Sequence, residues 1–496
     1  MLGYLISFIL GFGYHNNRVN LMPATLSYFI VRFGNGLLAI ATLAVLSRIL
    51  TPDQYGRYAL LIATATVLSS LSFQWLSAAI SRFYPQYFEN PADIMRAASR
   101  YFWLATLGVS LLCLIALAFH EVVEIEPINI ALIFLITIAL GRYTISLQIA
   151  NAQHAPMRYC LLSWTKLSAA LITSVFFIYF GAAEQGALLG FLLGLGLAIW
   201  VFEPHPKMGL SIGMVNARIS GELLRFGLPL VINFLAIVLL DFIDRFMIAR
   251  LLGVAYVASY SIAYDFIQLT IGPFLNIFFL SAFPTIVHLF DARKYEEVNE
   301  HLHDFGVKLI GFGVPLAVGV SILSYDIASI MFGLEYQQGA AMLMPWLSAA
   351  IFVAVFKSYY LDVIFQLHNV TKYQSYIAGF MVATNMVLNF ILLPIYGVIA
   401  AAWSTLAAFF LGAVISWLLG KRLFLLPNLN ITIAKVLLAS FIMGAILFFM
   451  LPFEGLPALF IKLFLAIMAY CIMGLTLNIA VVCTFVNSFK RKLIDN

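Results

Sequence analysis

The sequence predicts an all-α polytopic membrane protein of about fourteen transmembrane helices, built as two parallel six-helix repeats followed by two C-terminal helices. Three observations predict it. Hydrophobic residues make up 63% of the 496 residues and charged residues only 10%, with a mean hydropathy of +1.00. A soluble domain of this length cannot hide so much apolar surface from water. The apolar residues also gather into long runs separated by short polar turns. Finally, an arginine-led phrase recurs at the turn between two such runs. Its first copy runs from Arg48 through Leu50 and Gly56 to Tyr58, and its second from Arg250 through Leu252 to Tyr260. Each copy closes the first hairpin of a multi-helix half, and a membrane chain of two similar halves points to a transporter.

The elements follow in order. Met1 to Gly13 is apolar but too short to span, and it lacks the basic start and cleavage site of a signal peptide. Residues 1–20 are therefore read as an interfacial segment, or as translated sequence ahead of a start at Met22. A spanning helix needs about 20 apolar residues. That ruler marks runs at 21–50, 55–82, 98–119, 128–150, 157–180 and 185–203, forming a first half over 21–203. A linker over 204–224 precedes six more, at 225–251, 255–284, 305–324, 340–367, 374–394 and 398–420. Runs at 431–451 and 457–486, with a basic tail, complete 421–496. The repeat is imperfect: Arg32-Phe33-Gly34 resembles Arg225-Phe226-Gly227, but their spacings to Arg48 and Arg250 differ.

Loop charge fixes the orientation. Arg96, Arg100, Arg158, Lys207, Arg218, Arg293, Lys294, Lys372, Lys421, Arg422 and the tail Lys490-Arg491-Lys492 fall on one set of connections. The opposite set is almost free of Lys and Arg, with Arg57 the main exception. Basic loops stay cytoplasmic, so both termini are expected there, as an even helix count requires. Two connections on this side, 203–225 and 291–304, are long enough for amphipathic structure, and the second is expected to form a short surface helix.

Several classes are excluded or disfavoured. No glycine loop with its lysine is present to hydrolyse nucleotide. The net charge of +5 follows membrane topology, so no nucleic-acid partner is expected. Cys113, Cys160, Cys471 and Cys483 lie in apolar runs without metal or disulfide spacing, and no metal or cofactor is expected. The outer loops are too short to present an active site, which disfavours a membrane-embedded glycan polymerase or ligase.

Leu46 to Leu60, with Arg48, Pro52, Tyr55 and Gly56, resembles the opening hairpin of bacterial polysaccharide flippases. Asp244-Arg245-Phe246-Met247-Ile248-Ala249-Arg250-Leu251-Leu252-Gly253 is similar to their seventh helix, and Leu388 through Pro394 and Gly397 to Ala402 is similar to their helix 11–12 junction. The chain thus resembles the Wzx-like polysaccharide-transporter branch of the multidrug/oligosaccharidyl-lipid/polysaccharide exporter superfamily. The resemblance implies two six-helix lobes around a cleft of alternating access. It implies a substrate, an O-antigen, capsule or exopolysaccharide repeat unit on polyprenyl pyrophosphate, flipped across a bacterial inner membrane. A glycan polymerase and a chain-length regulator are the partners such a role brings, with membrane lipids around the helices. An ion-coupled drug or metabolite exporter, and a peptidoglycan-precursor flippase, are the alternatives within the superfamily.

Charges inside the membrane are costly and normally face a bundle interior or water. In the first half these are bases, Arg32, Arg142 and Lys166, placed toward the cytoplasmic side where a lipid-linked pyrophosphate would enter. Each is also explicable as a structural cation paired with a carboxylate or snorkelling to the interface. The second half adds Arg245 and Lys357 as possible substrate bases. Asp241, Asp244, Asp265 and Asp362 are candidates for binding a coupling H+ or Na+. Asp241 and Arg245 lie four apart and are expected to pair, leaving Asp265 as the freer carboxylate. Asn35, Asn233, Asn385 and Asn389 read first as interhelical glue and second as sugar contacts. Gly190, Gly194, Gly196 and Ala400 to Ala402 read as close-packing positions. With 44 Phe and 23 Tyr, sugar stacking on an aromatic is chemically reasonable, but no ring is singled out.

Overall fold

The computed structural model describes residues 22–484 apart from 89–90, 124, 154, 204–215, 451–452, 454 and 481. The N-terminal segment, Lys207 and the basic tail lie outside the described residues, as does the side chain of Arg32. Among the described residues the secondary structure is helical, and each of the fourteen predicted runs contains a helix, the last ending at Thr476. They are α1 (Met22–Ile49), α2 (Pro52–Tyr87), α3 (Pro91–Ala118), α4 (Pro127–Ala152), α5 (Pro156–Tyr179) and α6 (Ala183–Phe202). Then come α7 (Leu230–Leu251), α8 (Val254–Asp291), α9 (Tyr295–Ile322), α10 (Leu334–Leu367), α11 (Lys372–Tyr396), α12 (Ile399–Gly420), α13 (Asn430–Phe449) and α14 (Leu456–Thr476). Twelve of these are long and apolar enough to span alone. α7 qualifies together with the helix Ala217–Gly227, across a 43° bend, and α1 contributes a shorter apolar stretch, Gly34–Ile49.

Local chemistry explains the boundaries. Thr51 caps α2 reciprocally: its hydroxyl accepts from the Gln54 amide at 3.5 Å, and Gln54 Oε1 accepts from the Thr51 amide at 3.1 Å. Pro52 then sits at the first turn, where its missing N–H costs nothing. Gly253, with φ of +112°, takes the left-handed conformation that lets α7 stop and α8 start without a loop.

The chain divides into two compact units, residues 20–258 and 259–496. In the first, Phe73, Leu76, Ile80, Ile94, Phe102, Ile145 and Leu223 form one core. Leu61, Ile136, Leu162, Leu188 and Leu195 form another. α7 packs on α2 within this unit. The linker helix Ala217–Gly227 is the amphipathic element expected on that side: Ile219 and Leu223 are buried, while Arg218 and Arg225 are exposed. Its hydrogen bonds run to Tyr87, whose hydroxyl donates to Glu222 Oε2 at 2.9 Å, and to Tyr101, which donates to the Ser220 carbonyl at 3.3 Å. The second expected surface helix does not form separately. Tyr295 to Asp304 is the start of α9, because an unbroken helix satisfies those amides without a further pair of caps.

Small residues set the closest approaches. A Cβ at Gly190 would strike the Ser174 backbone, and one at Gly194 would meet the Lys166 carbonyl at 2.5 Å, so α5 and α6 pack nearly backbone to backbone. Gly196 faces open space instead. In the second unit α13 packs on α9 and on α14. Tyr470 of α14 donates to the Gly311 carbonyl at 2.6 Å.

Candidate functional site

The intramembrane charges separate into paired and open ones. Arg142 of α4 forms an ion pair with Glu203, just past α6, at 2.5 Å, and its guanidinium lies 5.9 Å from the Phe102 ring centre. Glu203 is thus the counter-charge of Arg142 inside the first unit. Lys166 of α5 differs. Its ammonium stands 5.0 Å from the Tyr143 ring centre and 5.5 Å from that of Phe191. Among the described residues no carboxylate lies within ion-pair distance of it. The aromatic faces stabilise the cation by cation–π attraction without neutralising it.

On α7, Asp244 and Arg245 are buried and Asp241 is half-buried. The Arg245 guanidinium also lies 4.9 Å from the Phe242 ring centre. All three have interaction partners. Asp265 on α8 is half-buried and likewise engaged, so it is not the free carboxylate its surroundings in sequence suggested. Lys357 and Asp362, expected as a substrate base and an ion-coupling acid, answer each other. Lys357 Nζ is 2.6 Å from Asp362 Oδ2, and both side chains are buried. Ser416 of α12 donates to Asp362 Oδ1 at 2.8 Å, which completes the carboxylate's shell.

Three further polar constellations occur, two of which escaped the sequence reading. Lys462 of α14 places its ammonium 2.8 Å from both carboxylate oxygens of Asp326. Asp326 lies on the short helix Ser324–Met331 between α9 and α10. Lys462 alone in an apolar run was a legible signal, because a lysine there needs a partner. The second is a buried polar cluster. Asn389 donates to Asn385 Oδ1 at 3.0 Å, and Asn385 donates to Thr405 Oγ1 at 3.3 Å. Tyr260 meets Thr405 at 3.2 Å, so α8, α11 and α12 are tied together and these two asparagines do serve as interhelical glue. The third joins Asn276 of α8 to Tyr359 of α10, with Asn276 donating to the phenol oxygen at 2.8 Å. No group of three or more metal-ligating side chains occurs among the described residues.

Among the described residues twelve helices are long and apolar enough to cross a membrane, and a bent pair makes a thirteenth span, which is the fold of a polytopic membrane protein. The chain belongs to the polysaccharide biosynthesis protein family, whose model matches residues 22–290, and with it to the multidrug/oligosaccharidyl-lipid/polysaccharide exporter superfamily. A second model, MatE, matches residues 229–391. Among solved structures, the lipid II flippase MurJ in an inward closed conformation aligns with a TM-score of 0.72 at 17% identity, covering 94% of this chain and 99% of that one. An inward-facing multidrug resistance MATE family transporter aligns at 0.60 and 14% identity, over 84% and 97%. A superfamily transporter from Pyrococcus furiosus aligns at 0.55 and 13%, again over 84% and 97%. No curated protein sequence matches this one.

Proposed function

We propose that the protein flips a polyprenyl-pyrophosphate-linked oligosaccharide from the cytoplasmic to the outer leaflet of a bacterial inner membrane, acting as a transporter and not an enzyme. Lys166 carries this reading: a half-buried cation framed by two aromatic rings suits a pyrophosphate and repels a cationic drug. Arg142, restrained by Glu203, is a secondary contact, and Arg32 and Arg245 remain candidates on their helices. The acidic groups Asp241, Asp244 and Asp265 are proposed to bind the coupling H+ or Na+.

A flip assay in proteoliposomes tests this, using a fluorescent polyprenyl-pyrophosphate oligosaccharide and an impermeant reagent that reads outward exposure. Lys166→Ala is expected to lower the initial rate at least tenfold at normal protein levels, and Arg142→Ala less. Wild-type rates in Lys166→Ala would remove Lys166 from the site. Extrusion of a cationic dye on a proton gradient, with no lipid movement, would replace the flippase reading with that of an exporter. A peptidoglycan precursor carries the same pyrophosphate, so Lys166 would serve it equally; competition between the two glycans separates them.

A further inference from the structure

α10 is interrupted at Lys357–Leu361 by a single π-helical turn, closed by the Asp362 amide donating to the Lys357 carbonyl at 2.9 Å. π-turns inside α-helices are rare and frequently mark functional positions. Here the turn and the buried ion pair need each other. Lys357 and Asp362 are five residues apart. A regular α-helix of 3.6 residues per turn points such a pair roughly 140° apart. The wider π-turn brings position five back over position zero, which allows the 2.6 Å contact between Nζ and Oδ2. The pair in turn holds the turn open, because relaxing it to α would separate two buried charges.

The π-turn carries Tyr359. Its ring stacks on Phe279 of α8, with centres 4.8 Å apart and planes at 19°, and Phe279 stacks on Phe283 at 4.9 Å. Asn276 fixes the phenol from the same helix. Asp265, Gln268, Gly272, Asn276 and Phe279 recur at three- and four-residue steps and so share one face of α8. Gln268 is exposed, and a Cβ at Gly272 on this face would meet nothing within 4 Å. Acid and amide groups are expensive against hydrocarbon, so such a face turns to a bundle interior or a watery cavity and not to lipid. Amides that donate and accept, beside half-buried aromatic faces, match the hydroxyls and C–H faces of a sugar ring.

We infer that Tyr359, with Asn276 and Phe279, forms a contact face for a sugar of the transported lipid, and that Lys357 and Asp362 are positioning residues that hold Tyr359 there through the π-turn. This rests on the flippase reading and concerns the glycan of the substrate, as distinct from its pyrophosphate.

The test compares the affinity of the full chain in nanodiscs for undecaprenyl pyrophosphate and for the same carrier bearing a tetrasaccharide. The wild type is expected to prefer the glycosylated carrier. Tyr359→Leu should reduce that preference about three- to tenfold while leaving the bare carrier unaffected, and Tyr359→Phe should reduce it less. Asp362→Asn should act in the same direction, and the charge-swapped pair Lys357→Asp/Asp362→Lys should restore the preference. An unchanged preference in Tyr359→Leu, or an equal loss for both ligands, overturns the sugar face. An unchanged preference in a folded Asp362→Asn, or a folded swap that does not restore it, overturns the positioning role. If the wild type binds both carriers equally, the sugar face falls and the flippase reading stands. If it binds neither, that reading falls first.

Discussion

At the scale of single residues, whether a charge in the membrane is available depends on what stands within about 4 Å of it. Arg142, Lys357 and Lys462 each have a carboxylate there, whereas Lys166 has two aromatic rings with centres 5.0 and 5.5 Å away. The types of these residues were legible in sequence, but their pairings were not. Glu203 closes on Arg142 from 61 positions away in the chain, just past a helix end, where it looked like a loop acid. Asp362 is reachable from Lys357 only through a π-turn that no periodicity announces. The Asp326–Lys462 pair allows a direct measurement. Lys462→Met should leave a buried carboxylate alone and destabilise the protein by about 3–5 kcal/mol. Asp326→Leu combined with Lys462→Met should recover most of that loss, as read by denaturation in detergent micelles. A single variant as stable as the wild type would show that Asp326 is hydrated.

At the scale of elements, the fourteen helices were legible because lipid requires long apolar runs and places turn residues between them. Their ends were less so: α8 and α9 absorb the residues expected as a surface helix. Packing by small residues was read correctly at Gly190 and Gly194 and missed at Gly196, since spacing alone does not tell which helical face meets a neighbour. The two classes should respond in opposite ways. Gly190→Ala should drive α5 from α6 and cost about 1–3 kcal/mol. Gly196→Ala, facing open space within a helix, should gain up to about 1 kcal/mol through helix propensity. Thermal unfolding of the two variants, side by side, checks both signs.

At the scale of the whole molecule, the asymmetry of loop charge predicts an orientation that can be measured. Single cysteines introduced near Lys372 and Lys421, in a background lacking Cys113, Cys160, Cys471 and Cys483, should react with an impermeant maleimide only after the cytoplasmic face is opened. Cysteines near Gly333 and Gly397 should react in intact cells; the reverse pattern would invert the topology. The buried pair between Asp326 and Lys462 also has a meaning for biogenesis. The two residues are 136 positions apart, and a ribosome adding about 5–20 residues per second needs on the order of ten seconds to cover that distance. Through that interval Asp326 has no counter-charge, so the nascent chain must keep it at the water boundary until α14 arrives. A chain cut short before Lys462 would carry Asp326 without this partner, and it is expected to be degraded faster than the full chain in a pulse–chase measurement.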